Sequence, residues 1–137
     1  MTSSVTTSGP FSLRLEAPAV IAGGQPVPLR LVLTNISKDT VMFALPSVGR
    51  LQTDYKVYRW SYRVRHKLWH RSGASAELQG PLAPGDSLIF MDMWPQRTDH
   101  RLPVGPGKYT VIGTVHELGN TQSTEGIVSA PLQVRIR

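Results

Sequence analysis

"TDYKVYRWSYRVRHKLWHRS", Thr53 to Ser72, is the stretch on which the reading of this chain turns. After Asp54 it carries Lys56, Arg59, Arg63, Arg65, Lys67 and Arg71, with no acidic residue until Glu77. Tyr55, Tyr58, Trp60, Tyr62 and Trp69 lie among those charges. Aromatics and cations on one accessible face would make a stacking platform for nucleic acid. On opposite faces they make a half-buried strand, because successive side chains of a strand point to opposite sides. Tyr58, Trp60, Tyr62 and Val64 share one parity, and Arg59, Ser61, Arg63 and Arg65 share the other. That alternation predicts a strand or hairpin with its rings in a core and its arginines in water. Nucleic acid is then not the expected partner, although the cations alone can hold phosphate without sequence preference.

The same period of two recurs along the chain. Phe11, Leu13 and Leu15 alternate with Ser12, Arg14 and Glu16, and Val27, Leu29, Leu31 and Leu33 with Pro28, Arg30 and Thr34. Pro26 and Pro28 donate no ladder hydrogen bond, so that strand is expected to begin at a sheet edge. "NISKD" (Asn35–Asp39) has turn composition, after which Val41, Phe43 and Leu45 resume the pattern. Pro84-Gly85 introduces a strand at Ser87–Trp94 whose apolar residues fall on both parities, which predicts two covered faces. Pro106-Gly107 introduces another, with Tyr109, Val111 and Val115 on one face, and Leu132, Val134 and Ile136 mark the last. Trp94 and Tyr109 are expected in the core. Residues 1–9, rich in Ser and Thr, are expected to form a flexible tail. Short strands separated by turns over residues 10–137 predict a single antiparallel β-sandwich domain, with a barrel as the lesser alternative.

Composition narrows function chiefly by exclusion. The 137 residues suit one domain, and 12 Gly with 11 Pro favour turns over long helices. With no cysteine, disulfides and thiolate-ligated zinc are ruled out. The 15 Lys and Arg against 9 Asp and Glu favour acidic partners without naming one. The amino terminus lacks the pattern of a secretory signal and no run suits a membrane helix, so a soluble cytoplasmic protein is expected. His66 and His70, four apart, would share a helix face but lie ~13 Å apart on a strand, and no metal or cofactor is expected. "GASAE" (Gly73–Glu77) lacks the context of a nucleophile elbow, and in "VGPGKY" a strand rather than a helix follows Lys108, unlike a phosphate loop. No enzyme is expected.

Four segments resemble the Bacillus-type intracellular proteinase inhibitor family (BsuPI) over roughly Leu31 to His116. "LVLTNISKDTVMF" looks like its strand, Asn-containing turn and strand, and "GRLQTDYKV" like its glycine and Asp-aromatic strand start. "LWHRS" or, letter by letter, "VYRWS" looks like its Trp-Arg-Trp-Ser segment, though the Phe usual after it has no equivalent in "GASAELQG". "LAPGDSLIFMDMW" followed by "VGPGKYTV" looks like its two Pro-Gly-introduced strands around a Trp. The resemblance implies an immunoglobulin-like sandwich and a non-enzymatic intracellular inhibitor, with a protein partner such as a serine protease. An inhibitor presents an exposed, rigid, extended loop, and Pro95–Pro106 is the leading candidate, its contacts being Arg97, Thr98, Asp99, His100, Arg101 and Leu102. "PSVGRLQT" (Pro46–Thr53) is the next. The rival expectation is a non-inhibitory module that docks acidic protein or nucleic acid through Lys56, Arg59, Arg63, Arg65, Lys67 and Arg71.

Overall fold

The alternating runs become strands in a computed structural model, which describes residues 1–41, 50–61, 64–77, 82–118 and 126–137. In chain order these are β1 (Thr2–Ser8), β2 (Phe11–Ala17), β3 (Val20–Ile21), β4 (Val27–Asn35) and β5 (Arg50–Ser61). There follow β6 (Val64–Glu77), β7 (Ser87–Trp94), β8 (Gly107–Leu118), β9 (Ile127–Val128) and β10 (Leu132–Ile136). One sheet runs β1-β2-β4-β7; the other runs β3-β10-β8-β5-β6, with β9 paired to β8. Every ladder is antiparallel except β3 on β10.

The strand order is that of an immunoglobulin-like sandwich. β2, β4 and β7 occupy the places of strands A, B and E, and β10, β8, β5 and β6 those of G, F, C and C′. Tyr109, at the start of β8, adds a second hallmark by donating its hydroxyl to the Gly105 carbonyl, 2.6 Å away. That is the tyrosine corner of such folds.

The core lies between the sheets. Leu13, Leu15, Leu29, Leu31 and Leu33 of the smaller sheet face Tyr55, Val57, Tyr109, Val111, Val134 and Ile136 of the larger. Trp94 and Tyr109 are both fully buried, as expected. Trp94 sits between Trp69 (centroids 6.5 Å apart) and the edge-on Tyr109 (5.2 Å). Asn35, also buried, organises the turn after β4: its amide donates to the carbonyls of Asp39 and Leu82, while its Oδ1 accepts from the Ser37 backbone and hydroxyl.

Three expectations change. Residues 1–9 are no tail, since Thr2–Ser8 pair with β2 through a turn in which Gly9 has φ 56°. Their β-branched Thr2, Val5, Thr6 and Thr7 suit a strand, and Ser4 Oγ ties it to the Ala130 carbonyl across the sandwich. The strand carrying Pro28 is internal rather than at an edge, but the β2 ladder ends at Glu16↔Arg30, leaving Pro28 with β7 alone beside it. In β7 only one face is covered: Phe90 and Trp94 point inward, while Ile89, Met91 and Met93 are 53, 70 and 53% exposed. Phe43 and Leu45 fall outside the described residues.

Candidate functional site

The parity of β5 is the reverse of the expected one. Thr53, Tyr55 and Val57 are buried at the middle of the strand, where it pairs with both β8 and β6. Inward parity is set there and carries on to Arg59, whose guanidinium lies 5.7 Å over the Tyr109 ring. Lys56, Tyr58 and Trp60 therefore look outward, and Trp60 is 57% exposed. The two bulges in this hairpin leave β5 unbroken, because at each the extra residue is on β6. The sequence offered both parities, since Tyr55 and Val57 are as apolar as Tyr58 and Trp60. What decides between them is which residues stand at the middle of the sandwich.

Register then assembles an outer face around Trp60. Lys67 of β6 stands opposite Tyr58, His70 opposite Lys56, and Arg65 opposite Trp60. On the other side Thr110 of β8 partners Tyr58, and Lys108, two residues earlier, partners Arg135 of β10. Lys56, Lys67, Lys108 and Arg135 are all exposed and form no ion pair among the described residues. Asp54 shares the face and lies 3.5 Å from His70 Nε2. Indole, phenol and cations thus occupy one accessible sheet surface.

The six basic residues named from sequence therefore divide. Lys56 and Lys67 are on the outer face, and Arg65 is opposite Trp60 in register. Arg59 covers Tyr109, and Arg71, opposite the buried Tyr55, reaches Asp92 of the other sheet at 3.5 Å. Arg63, like Tyr62, lies outside the described residues. Lys108 and Arg135 were missed, because only the order β10-β8-β5 brings them beside Trp60. Alternation already marked Arg135 as outward, so the missing element was strand order alone.

The loop between β7 and β8 is braced and curled. Gln96, buried and at φ 57°, accepts from the Gly24 amide and donates to the carbonyls of Ala22 and Gln25. The Arg97 carbonyl accepts from the Trp94 indole. The amide of Thr98 donates to Leu102, and that of Arg101 (φ 63°) donates to Thr98, closing a turn. The turn docks on β6: the Asp99 amide donates to the Leu68 carbonyl and its carboxylate accepts from the His70 amide. His100, Arg101 and Leu102 are exposed at its tip. The six residues are together, but as a turn rather than an extended segment. Of "PSVGRLQT", 46–49 lie outside the described residues and Arg50–Thr53 open β5.

Among the described residues, no cluster of three His, Asp or Glu could hold a metal ion, and no helix is long and apolar enough to cross a membrane.

No protein-family model and no curated protein matches the chain. Solved structures do resemble it. The C-terminal domain of wzt is similar at 10% identity and TM-score 0.60, over 98% of this chain and 78% of that one. A β-glucosidase from Listeria innocua in complex with isofagomine is similar at 13% identity and TM-score 0.51, over 92% of this chain. The chain spans only 16% of the length of that enzyme. The CARDB domain of the PF1109 protein from Pyrococcus furiosus is similar at 15% identity and TM-score 0.45, over 90% of this chain and 84% of that one. For the first two the likeness is one of fold alone, and the BsuPI resemblance rests on its motifs.

Proposed function

We propose that the chain is a non-enzymatic interaction domain that docks an acidic macromolecule on the outer face of β6, β5, β8 and β10. Trp60 carries this reading. An indole left 57% exposed on a sheet face, flanked by cations that form no ion pair among the described residues, is a surface awaiting a partner. Trp is favoured at interfaces because it buries a large area at low entropic cost while its N–H keeps a polar handle. The exposed cations add attraction at a distance that salt weakens.

The test is elution from immobilised heparin in a salt gradient. Lys56→Glu/Lys67→Glu/Arg135→Glu should elute at much lower salt than the wild type. Arg14→Glu/Arg30→Glu/Lys38→Glu changes net charge equally on and beside the opposite sheet and should elute close to wild type. Equal shifts for the two variants would show that net charge, not this face, does the binding.

One observation favours a second reading, that of a cytoplasmic serine protease inhibitor. The loop Pro95–Pro106 is held rigid by Trp94 and Gln96 and exposes Arg101 and Leu102 at its tip. Its closed turn is not the extended form that inhibitor loops present, and for this reason it stands second. Titration of trypsin-like and subtilisin-like proteases decides it: an inhibitor slows one of them, and loses that effect on Arg101→Ala or Leu102→Ala. Cleavage of the protein without slowing either protease would end this reading.

A further inference from the structure

We infer that the macromolecule docked on this face is single-stranded nucleic acid, with a base stacked on Trp60 and its backbone tracked by Lys56, Lys67, Lys108 and Arg135. The inference rests on the docking reading above and names its partner.

Three observations point there. First, Tyr58 lies on an inner part of the sheet, with β8 on one side and β6 on the other, and Trp60 follows it just beyond the end of the β8 ladder. Aromatics on the inner strands of an open sheet face meet bases that lie flat on the sheet. Second, residues two apart on a strand are ~6.7 Å apart and adjacent strands ~4.8 Å. Lys56, Tyr58 and Trp60 therefore form a column at about the step of an extended nucleotide chain. Lys67 stands one strand to one side of it, and Lys108 and Arg135 one and two strands to the other. Cations on both sides of an aromatic column suit a polymer that alternates bases with phosphates. Third, the indole itself discriminates among acidic partners. An acidic peptide needs only the cations, and a duplex keeps its bases stacked inside and offers only phosphates. A single strand uses both the indole and the charge.

The experiment titrates the whole chain with fluorescein-labelled dT15, following anisotropy and tryptophan emission. A 15-base-pair duplex, polyglutamate and heparin serve as competitors. The expected result is quenching of the tryptophan emission by dT15, with the single strand preferred over the duplex and polyglutamate. With three to four phosphates held at ~0.7 ion released per contact, binding should weaken about 20- to 50-fold between 50 and 200 mM salt. Trp60→Ala, at an exposed position, should weaken dT15 at least about fivefold, the lower end for loss of a stacked base, and leave duplex binding unchanged. Lys56→Glu/Lys67→Glu should weaken both. If Trp60→Ala binds dT15 like the wild type, or polyglutamate or heparin competes as well as dT15, the partner is not a single strand. The docking reading survives that outcome provided Lys56→Glu/Lys67→Glu weakens the ligand that does bind. If none of the four polyanions binds, both inferences fall.

Discussion

Tyr109 donates its hydroxyl to the carbonyl of Gly105 at 2.6 Å, and this bond fixes the corner where the chain leaves the β7–β8 loop to begin β8. The ring meets Trp94 edge-on and is capped by the Arg59 guanidinium. The corner therefore places the ring where Arg59, on the inward parity set by Tyr55 and Val57, covers it, while Trp60 faces outward. Tyr109→Phe keeps the ring and loses the bond, so it should cost about 1 kcal/mol. Trp94→Ala removes a fully buried ring and its bond to the Arg97 carbonyl, and should cost ~3–5 kcal/mol. Urea unfolding of the two variants checks both values. A Trp94→Ala midpoint near wild type would contradict the assigned core.

At Gly113 the two sheets press close together. A Cβ there would lie 2.9 Å from both δ-carbons of Leu31, on the opposite sheet. Leu31 is itself fully buried and has little room to yield. Gly113→Ala should destabilise by about 1–3 kcal/mol, the usual cost of overpacking a core. Gly113→Ala/Leu31→Ala should lose less than the sum of the two single variants, because truncating Leu31 removes the clash, and strict additivity would show that they do not meet.

Tyr55 gives the fold an alkaline weakness. Burial pushes the phenol up to about 12 from its ordinary 10, with the neighbouring Thr53 side chain opposing and the Asp92 carboxylate adding to it. Because the folded value is the higher one, the stabilisation is fully present below pH 10 and is lost as pH rises toward 12. Two units correspond to roughly 2–3 kcal/mol. The hydroxyl has no hydrogen-bond partner among the described residues, so Tyr55→Phe should be neutral or mildly stabilising at pH 7. Between pH 10 and 12 its advantage over wild type should widen by that same amount. Urea midpoints measured across that range check the sign, and parallel curves would contradict it. Burial raises Tyr109 as well, with Arg59 opposing, so some alkaline loss should remain in the variant.

Most of the fold was legible because one face of each strand is buried and the side-chain period is two. Leu13/Leu15, Leu29/Leu31/Leu33, Tyr109/Val111 and Leu132/Val134/Ile136 each announce an inward face and all keep it. β1 escaped notice because its Ser and Thr residues show no apolar–polar alternation, and its one aliphatic residue, Val5, faces outward. β7 misled because Met91 and Met93 look like core residues, and nothing local says that the outer face of an edge strand stays bare. Its edge is instead guarded by Asp92, which points inward, is held by Arg71 and accepts from the Met93 amide. The binding face was hidden for a related reason. β5 is apolar on both parities, and its orientation depends on which residues reach the middle of the sandwich, a fact of tertiary packing. Lys108 and Arg135 join Trp60 only through strand order, which alternation does not encode.

The outward orientation of Trp60 underlies the docking face, and acrylamide quenching of tryptophan fluorescence tests it most directly. Trp69 and Trp94 are 6 and 0% exposed, against 57% for Trp60. The wild type should therefore show one readily quenched, red-shifted component and a protected blue-shifted remainder. Trp60→Phe should abolish the quenched component and leave the remainder and the thermal midpoint unchanged. A quenched component that survives in Trp60→Phe and disappears in Trp69→Phe would mean that Trp60 faces the core, and the binding face with it would be lost.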